Sequence, residues 1–247
     1  MIGEFSGNDR REDLPWAVVC DFDGTALLHD IADGLSKQYL GDAAWRTVNT
    51  RFERGEISFR EFLHELFEPI AASPEDIRVF AHAHADFRPG FVRLLEVARD
   101  RGVPFILASG GLDIYIRPAL ELLPPELIAD VELRANHAEH RVGGLAISFP
   151  YSEAPESCGT CGSCKGAIVR ELQRDGYRVI AIGDGNADRC MARVADVLFA
   201  RDRLLAWCTR HQVAHTPFET LDVVVDLLES TSPVRGDTFG DVHPSIA

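Results

Sequence analysis

The chain has 247 residues, 46% of them hydrophobic and 26% charged, enough for one large core or a core with a modest accessory domain. A formal charge of −14 and the lack of any Lys/Arg run exclude a basic face for a phosphate backbone, so nucleic acid is not an expected partner. No stretch approaches the roughly 18 apolar residues of a membrane span, and the opening "MIGEFSGNDRREDLPW" lacks the basic start and apolar run of a secretory leader, so no membrane partner is expected, the expected location is cytoplasmic, and the six cysteines are expected to be reduced.

In chain order, residues 1–13 read as a flexible arm. A buried strand follows over Trp16–Cys20 ("WAVVC"), and further strands are predicted over Val103–Ala108, Val131–Ala135, Arg178–Ile182 and Val197–Ala200. Amphipathic helices are predicted between them, over Pro89–Arg101, Leu112–Leu123, Cys164–Asp175, Asn186–Ala195, Arg201–His211 and Thr220–Glu229. This alternation predicts an α/β core with a parallel sheet covered on both faces. The gap between the first two strands is too long for an ordinary crossover. Residues 30–87 are therefore assigned to a small helical cap; in it "FREFLHELF" places Phe59, Phe62, Leu63, Leu66 and Phe67 at helical spacing. The core is then residues 14–29 and 88–229. The Gly143-Gly144 pair in "HRVGGLAISFPY" predicts a hairpin over His140–Tyr151, and residues 230–247 read as a second flexible terminus.

Chemistry concentrates where these strands end. In "CDFDGT" the alternation of side chains sends Asp21 and Asp23 to one crevice and Phe22 into the packing. Crowded carboxylates need a cation or a shared proton, and a hard divalent ion with oxygen ligands supplies the first. "ASGG", Ala108–Gly111, offers Ser109 and a glycine pair expected to open a helix towards an anion, while "GDGNADR" places Asp184 and Asp188 at another strand end. Lys165 opens the helix before that strand. Carboxylates, a hydroxyl, backbone donors and an ammonium together describe a magnesium-assisted phosphoryl-transfer site.

"DFDGT", "ASGG", the lysine of "CKG" and "GDGNAD" resemble the four ordered motifs of the haloacid dehalogenase superfamily, mostly phosphatases on a modified Rossmann core. "SGG", "CGTCGSCKG" and "DVLFARDRLLAWCTRHQVAHTPFETLDVV" are similar to its methionine-salvage branch, phosphatases of 2-hydroxy-3-keto-5-methylthiopentenyl-1-phosphate related to the phosphoserine phosphatases. The resemblance implies Asp21 as the nucleophile that forms an aspartyl-phosphate and Asp23 as general acid and then base. It implies Mg2+ held by Asp21, Asp23 through its main-chain carbonyl and Asp184, with Asp188 beside them supporting the site or orienting Lys165. Ser109 and the backbone at Gly24 and Gly110 would hold phosphate, Thr25 would close the turn, Lys165 would offset charge, and His29 and Asp30 would lie near cap-side substrate contacts. The implied partner is a small phosphorylated metabolite. The alternatives are another phosphomonoester, such as phosphoserine or a sugar phosphate, and a non-catalytic phosphate-binding module. A homodimer paired through its caps is compatible with this reading.

Outside these motifs, His82, His84, His137 and His140 read as solvated or satisfied structural residues. Arg51, Arg54 and Arg88 read first as exposed helix arginines and second as contacts for an acidic substrate. Cys158, Cys161 and Cys164 form C-x2-C-x2-C, three of the four ligands of a structural zinc site, with His137, His140, Cys190 or Cys208 as the fourth if the fold brings one near. A labile disulfide is another reading. A reduced loop, relieved by Gly159, Gly162 and Gly166 and framing Lys165, comes first because the motif itself holds no fourth ligand.

Overall fold

The computed structural model describes residues 14–159 and 161–231; the terminal segments 1–13 and 232–247 lie outside the described residues. A seven-stranded sheet is built from β1 (Trp16–Cys20), β2 (Phe105–Leu112), β3 (Val131–Arg141), β4 (Gly144–Ser148), β5 (Arg178–Gly183), β6 (Val197–Ala200) and β7 (Thr216–Pro217), in the spatial order β4-β3-β2-β1-β5-β6-β7. All pairs are parallel except β3 with β4. Alternation along the strands divides the interior into two layers. Val18, Cys20, Phe105, Leu107, Ile180 and Ile182 face one core cluster, and Val19, Ile106, Ala108, Val179 and Ala181 face the other.

Helices α1 (Ile31–Leu40), α2 (Asp42–Glu53), α3 (Phe59–Phe67) and α4 (Pro74–His84) lie between β1 and β2, followed by α5 (Phe91–Asp100). Local chemistry sets their starts. Ser58 accepts from Glu61 N while the Glu61 carboxylate accepts from Ser58 N, and Ser73 with Asp76 repeats the device ahead of Pro74 in the first turn. The chain leaves the sheet and re-enters it through a paired neck. Leu27 bridges Phe87, Leu28 N donates to Asp86 O, and Arg88 N donates to Ala26 O. The inserted helices share the first core cluster, where Leu63, Leu66, Phe67, Ile77 and Phe80 join Leu112, Tyr115 and Ile116.

The rest of the chain forms α6 (Asp113–Leu120), α7 (Pro125–Ile128), α8 (Lys165–Arg174), α9 (Arg189–Ala192), α10 (Asp202–His211) and α11 (Asp222–Ser230). Helix α11 packs with α5 in the first cluster through Val224, Leu228, Phe91 and Leu94. Residues Ile168, Val169, Met191, Leu204 and Trp207 of α8–α10 cover the other face.

Several boundaries differ from the sequence-based ones. The strand predicted to end at Ala108 runs on through Gly110 and Gly111 to Leu112, with a register irregularity against β3, so the glycines do not open a helix; α6 begins at Asp113. Only a glycine fits at Gly111, because a Cβ there would lie 1.6 Å from the Tyr115 hydroxyl. Strand β3 continues six residues past the predicted Ala135 to reach the hairpin turn. The helix predicted over Asn186–Ala195 is instead a single 3-10 turn, Asn186–Asp188, preceded by Gly185 at its cap position, and then the four-residue α9. The two-residue β7 and the short α7 carry too little periodicity to be read from sequence.

Candidate active site

The sheet's carboxyl edge is built first by the turn after β1. Asp21 is extended and anchored to β5 through Asp21 N donating to Ile182 O at 2.9 Å. Gly24 follows with φ +76, and a Cβ there would sit 2.6 Å from Asp184 Oδ2, so this turn and the segment after β5 close on each other only at a glycine. Thr25, fully buried, donates its hydroxyl to Asp184 Oδ1 at 2.8 Å. Phe22 is buried in the core as its alternation predicts.

Lys165 begins α8 and is 2% exposed; its ammonium bonds Asp21 Oδ1 and Asp188 Oδ1. Burial acts against its charge, but Asp188 and Asp21 outweigh it and hold its pKa above the usual lysine range. Asp188 uses its other oxygen to accept from Asp184 N at 3.0 Å and Gly185 N at 2.9 Å. It therefore fixes both the ammonium and the loop that carries Asp184. Asp21, Asp184 and Asp188 each bring one carboxylate oxygen within 4.8 Å of the others. Burial first, then neighbouring Asp188, holds Asp21 well above the usual carboxylate range and pushes Asp184 up to about 6. Three carboxylates this crowded around one ammonium leave negative charge uncompensated, which a hard divalent cation with oxygen ligands would offset, so this donor set fits Mg2+.

Asp23 stands apart from that trio. Its oxygens accept from Ile31 N and from the Tyr115 hydroxyl, both at 2.9 Å. Burial pushes its pKa up to about 6 against the lowering effect of these two donors. Its side chain is thus engaged by Ile31 N and Tyr115 rather than grouped with the other three carboxylates. Ser109 is buried and its Oγ accepts from Gly111 N at 2.9 Å, and Gly110 lies under the Phe59 ring of α3, 3.1 Å from where its own Cβ would be. His29 and Asp30 are exposed at the neck; Asp30 caps α1 by accepting from Asp33 N at 2.8 Å.

Two residues of this site carry no readable signal in the sequence. Tyr115 reads as one apolar position in "LDIYIRP", yet it is fully buried and reaches Asp23. Removing its hydroxyl takes away a donor that favours the ionised Asp23 carboxylate. In Tyr115→Phe, therefore, the limb of kcat/KM that falls with rising pH moves up by about one pH unit; an unmoved limb would show that Tyr115 does not tune Asp23.

Arg88 corrects the expectation of an exposed helix arginine. It precedes α5, is 3% exposed, and donates to Gly24 O at 2.6 Å, Thr25 O at 2.7 Å, Leu27 O at 3.2 Å and Glu219 O at 3.1 Å. One guanidinium ties the catalytic turn to the neck and to the segment before α11. Arg88→Ala leaves the buried Thr25 and Leu27 carbonyls without this donor and is expected to cost about 2–4 kcal/mol in urea denaturation, with Arg88→Lys recovering only part because an ammonium cannot match the planar fork.

Arg51 and Arg54 remain on the surface of the inserted helices, Arg51 paired with Glu65 and Arg54 with Glu56. His82 meets Glu121, and His84 meets Phe80 O.

In the cysteine loop, Cys158, Cys161 and Cys164 bring their sulfurs within 4.8 Å of one another. Among the suggested fourth ligands, His137 is bonded to Asp113 Oδ2 at 2.7 Å, His140 is exposed on β3, and Cys208 is buried on α10 in the second core cluster. Cys190, on α9, lines the same pocket as the three loop cysteines. Hydrogen bonds from Cys161 and Cys190 hold the Cys164 thiol far below the usual thiol range.

The sequence pattern of the haloacid dehalogenase-like hydrolases matches residues 18–193. A 2-hydroxy-3-keto-5-methylthiopentenyl-1-phosphate phosphatase of Exiguobacterium sibiricum is 32% identical over 215 residues, covering 87% of this chain and 96% of its own. The Geobacillus kaustophilus protein of the same name is 32% identical, covering 86% and 94%. Among solved structures, a phospho-aspartyl intermediate analogue of phosphoserine phosphatase matches the fold with a TM-score of 0.61 at 17% identity, over 87% of this chain and 98% of the other. No helix among the described residues is long and apolar enough to cross a membrane. With its catalytic motifs assembled at one sheet edge and its sequence matched over most of its length, the chain belongs to the haloacid dehalogenase-like hydrolase family and is a phosphoric monoester hydrolase.

Proposed function

We propose that the chain is a magnesium-dependent phosphatase that works through an aspartyl-phosphate on Asp21 and takes 2-hydroxy-3-keto-5-methylthiopentenyl-1-phosphate as its substrate. The observation that carries the chemistry is the division of labour among neighbouring carboxylates: Asp21 is paired with Lys165, while Asp23 is held by Tyr115 and Ile31 N with its pKa raised to about 6. The substrate assignment is supported by the relatives' names and by their 32% identity over nearly the whole chain.

In the first step the Asp21 carboxylate attacks phosphorus, the bond from phosphorus to the ester oxygen breaks, and protonated Asp23 gives its proton to that leaving oxygen. Asp23, now ionised, takes a proton from the water that attacks the aspartyl-phosphate; the Asp21–phosphorus bond breaks and phosphate leaves. A raised pKa suits both roles, because the group is neither a permanent anion nor a permanent acid near neutral pH. Lys165 orients the Asp21 carboxylate, and Ser109 with the amides near Gly24 and Gly110 forms the cradle for phosphate oxygens. Asp21, Asp184 and the Asp23 main-chain carbonyl would hold Mg2+, which would supply charge neutralisation at the phosphoryl oxygens. Asp188 acts through Lys165 and the Asp184 loop. Helices α1–α4 form the cap, whose Phe59 ring lies over Gly110.

The test is phosphate release from a panel containing the methylthiopentenyl phosphate, phosphoserine and sugar phosphates, with Mg2+ and with chelator. The expected result is Mg2+-dependent release with the highest kcat/KM on the first compound. Preference for phosphoserine or a sugar phosphate would replace the substrate assignment, and binding of phosphate analogues without release from any ester would overturn the enzymatic one.

A further inference from the structure

Four of the six cysteines gather at one place that the phosphatase chemistry does not use. Cys158 and Cys161 approach to 2.8 Å, and Cys164, at the cap position of α8, joins them within 4.8 Å. The fourth, Cys190, comes from α9, a different segment, and lines the same pocket. Gly166 N donates to the Cys190 sulfur at 3.3 Å, and a Cβ on Gly166 would lie 2.9 Å from Cys190 O, so the two segments meet at van der Waals contact beside the sulfurs. Cys190 is not one of the three whose sulfurs all lie within 4.8 Å of one another; it faces them from the α9 side of the pocket.

We propose that Cys158, Cys161, Cys164 and Cys190 bind one zinc ion as a closed tetrathiolate site that clamps the start of α8 to α9. Three thiols within 4.8 Å of one another, with a fourth on α9 lining the same pocket, supply the ligand number and type of structural zinc, and C-x2-C spacing is what lets neighbouring cysteines turn to one ion. A disulfide would account for two of the sulfurs and leave the other two gathered without cause. Four thiolates around Zn2+ carry a net charge of −2, and the same pocket is lined by Arg189 and Arg193, which offset it, and by the mutually paired Arg170 and Glu156. An amide donating to a ligand sulfur, as Gly166 N does, is the kind of outer contact that orients a metal ligand.

The location gives the clamp a purpose. Cys164 directly precedes Lys165, and Cys190 lies two residues after Asp188. The zinc therefore ties together, from outside the active site, the two backbone segments whose side chains form the buried Lys165–Asp188 pair. The site is independent of the phosphatase reading and can fail without it.

The test is metal analysis of the full chain purified without chelator. About one zinc per chain is expected, and replacement by Co2+ should give the thiolate charge-transfer and ligand-field bands of tetrahedral tetrathiolate coordination. Cys158→Ser, at an exposed position, and Cys190→Ser should each weaken zinc binding by more than about 100-fold, beyond the loss of an outer contact. Cys208→Ala, in the second core cluster, should retain the metal. A reduced chain that takes up neither zinc nor a tetrahedral cobalt spectrum would overturn the site, as would a Cys158–Cys161 disulfide in the freshly purified chain. Undiminished zinc affinity in Cys190→Ser would overturn the four-cysteine ligand set.

Discussion

Asp21→Asn is expected to lower turnover by at least about four orders of magnitude, to the floor set by the assay, while leaving the fold intact. The exchange keeps the side chain's size and its acceptor oxygen towards Lys165, but an amide does not form the acyl-phosphate. It also removes one of three carboxylates whose oxygens lie within 4.8 Å of one another. Part of the electrostatic cost in the metal-free protein disappears with it, so the variant's unfolding midpoint should equal or exceed that of the parent chain. The pairing of lost turnover with undiminished stability marks a residue kept for chemistry rather than for folding. Phosphate release and urea denaturation on the same preparation measure both. A variant retaining most of its activity would remove Asp21 from the nucleophile's role.

Lys165→Met should fail in both respects. The ammonium is 2% exposed and is the shared partner of Asp21 and Asp188; its removal leaves two buried carboxylates facing each other. Breaking a buried pair in this way costs about 3–5 kcal/mol, because the remaining charge has lost its compensation while staying out of water. Turnover should fall by about three orders of magnitude as the nucleophile loses its orientation and the growing charge its counter-ion. The stability loss has a defined pH dependence. Burial and its acidic neighbours already hold the Asp21 carboxyl above the usual range in the folded state. Without Lys165 it is held higher still, so the folded variant binds a proton that the unfolded chain has released. Stability from such a group is present at low pH and is lost as the pH rises through its folded pKa. The deficit of Lys165→Met relative to the parent should therefore shrink as the pH is lowered from 8 to 5. Equal unfolding midpoints for the two proteins at pH 8 would show that the buried pair is not stabilised by the ammonium. Lys165→Arg is not a rescue, since a planar fork needs room and donor geometry that a site shaped around one ammonium does not offer.

The legible part of this protein lies wherever a few consecutive residues carry the information. "WAVVC" is apolar at every position, as a strand buried on both faces must be, and it forms β1 from Trp16 to Cys20 without adjustment. "FREFLHELF" forms α3 over its full predicted span because its apolar stripe and its Ser58 cap act within two turns. Asp21, Asp23, Lys165, Asp184 and Asp188 were readable because four short motifs end strands or begin helices in a fixed order, and a parallel sheet brings such ends to one edge. The glycine pair of "ASGG" is not legible because glycine permits both a helix start and an irregular strand; in the structure both glycines lie in β2, with the Tyr115 hydroxyl where a Gly111 Cβ would be.

Other features belong to the tertiary structure alone. In sequence Arg88 is an ordinary arginine before a helix, and only the return of the neck places it over the carbonyls of Gly24, Thr25 and Leu27. Tyr115 acquires its partner because α6 brings its hydroxyl to Asp23, and Cys190 acquires its neighbours from the contact of α8 with α9. Periodicity and caps are local, and a chain can display them before it folds. The orientation of a guanidinium, a phenol or a thiol towards a group far away in sequence depends on which surfaces pack, and that is decided by the burial of the whole core.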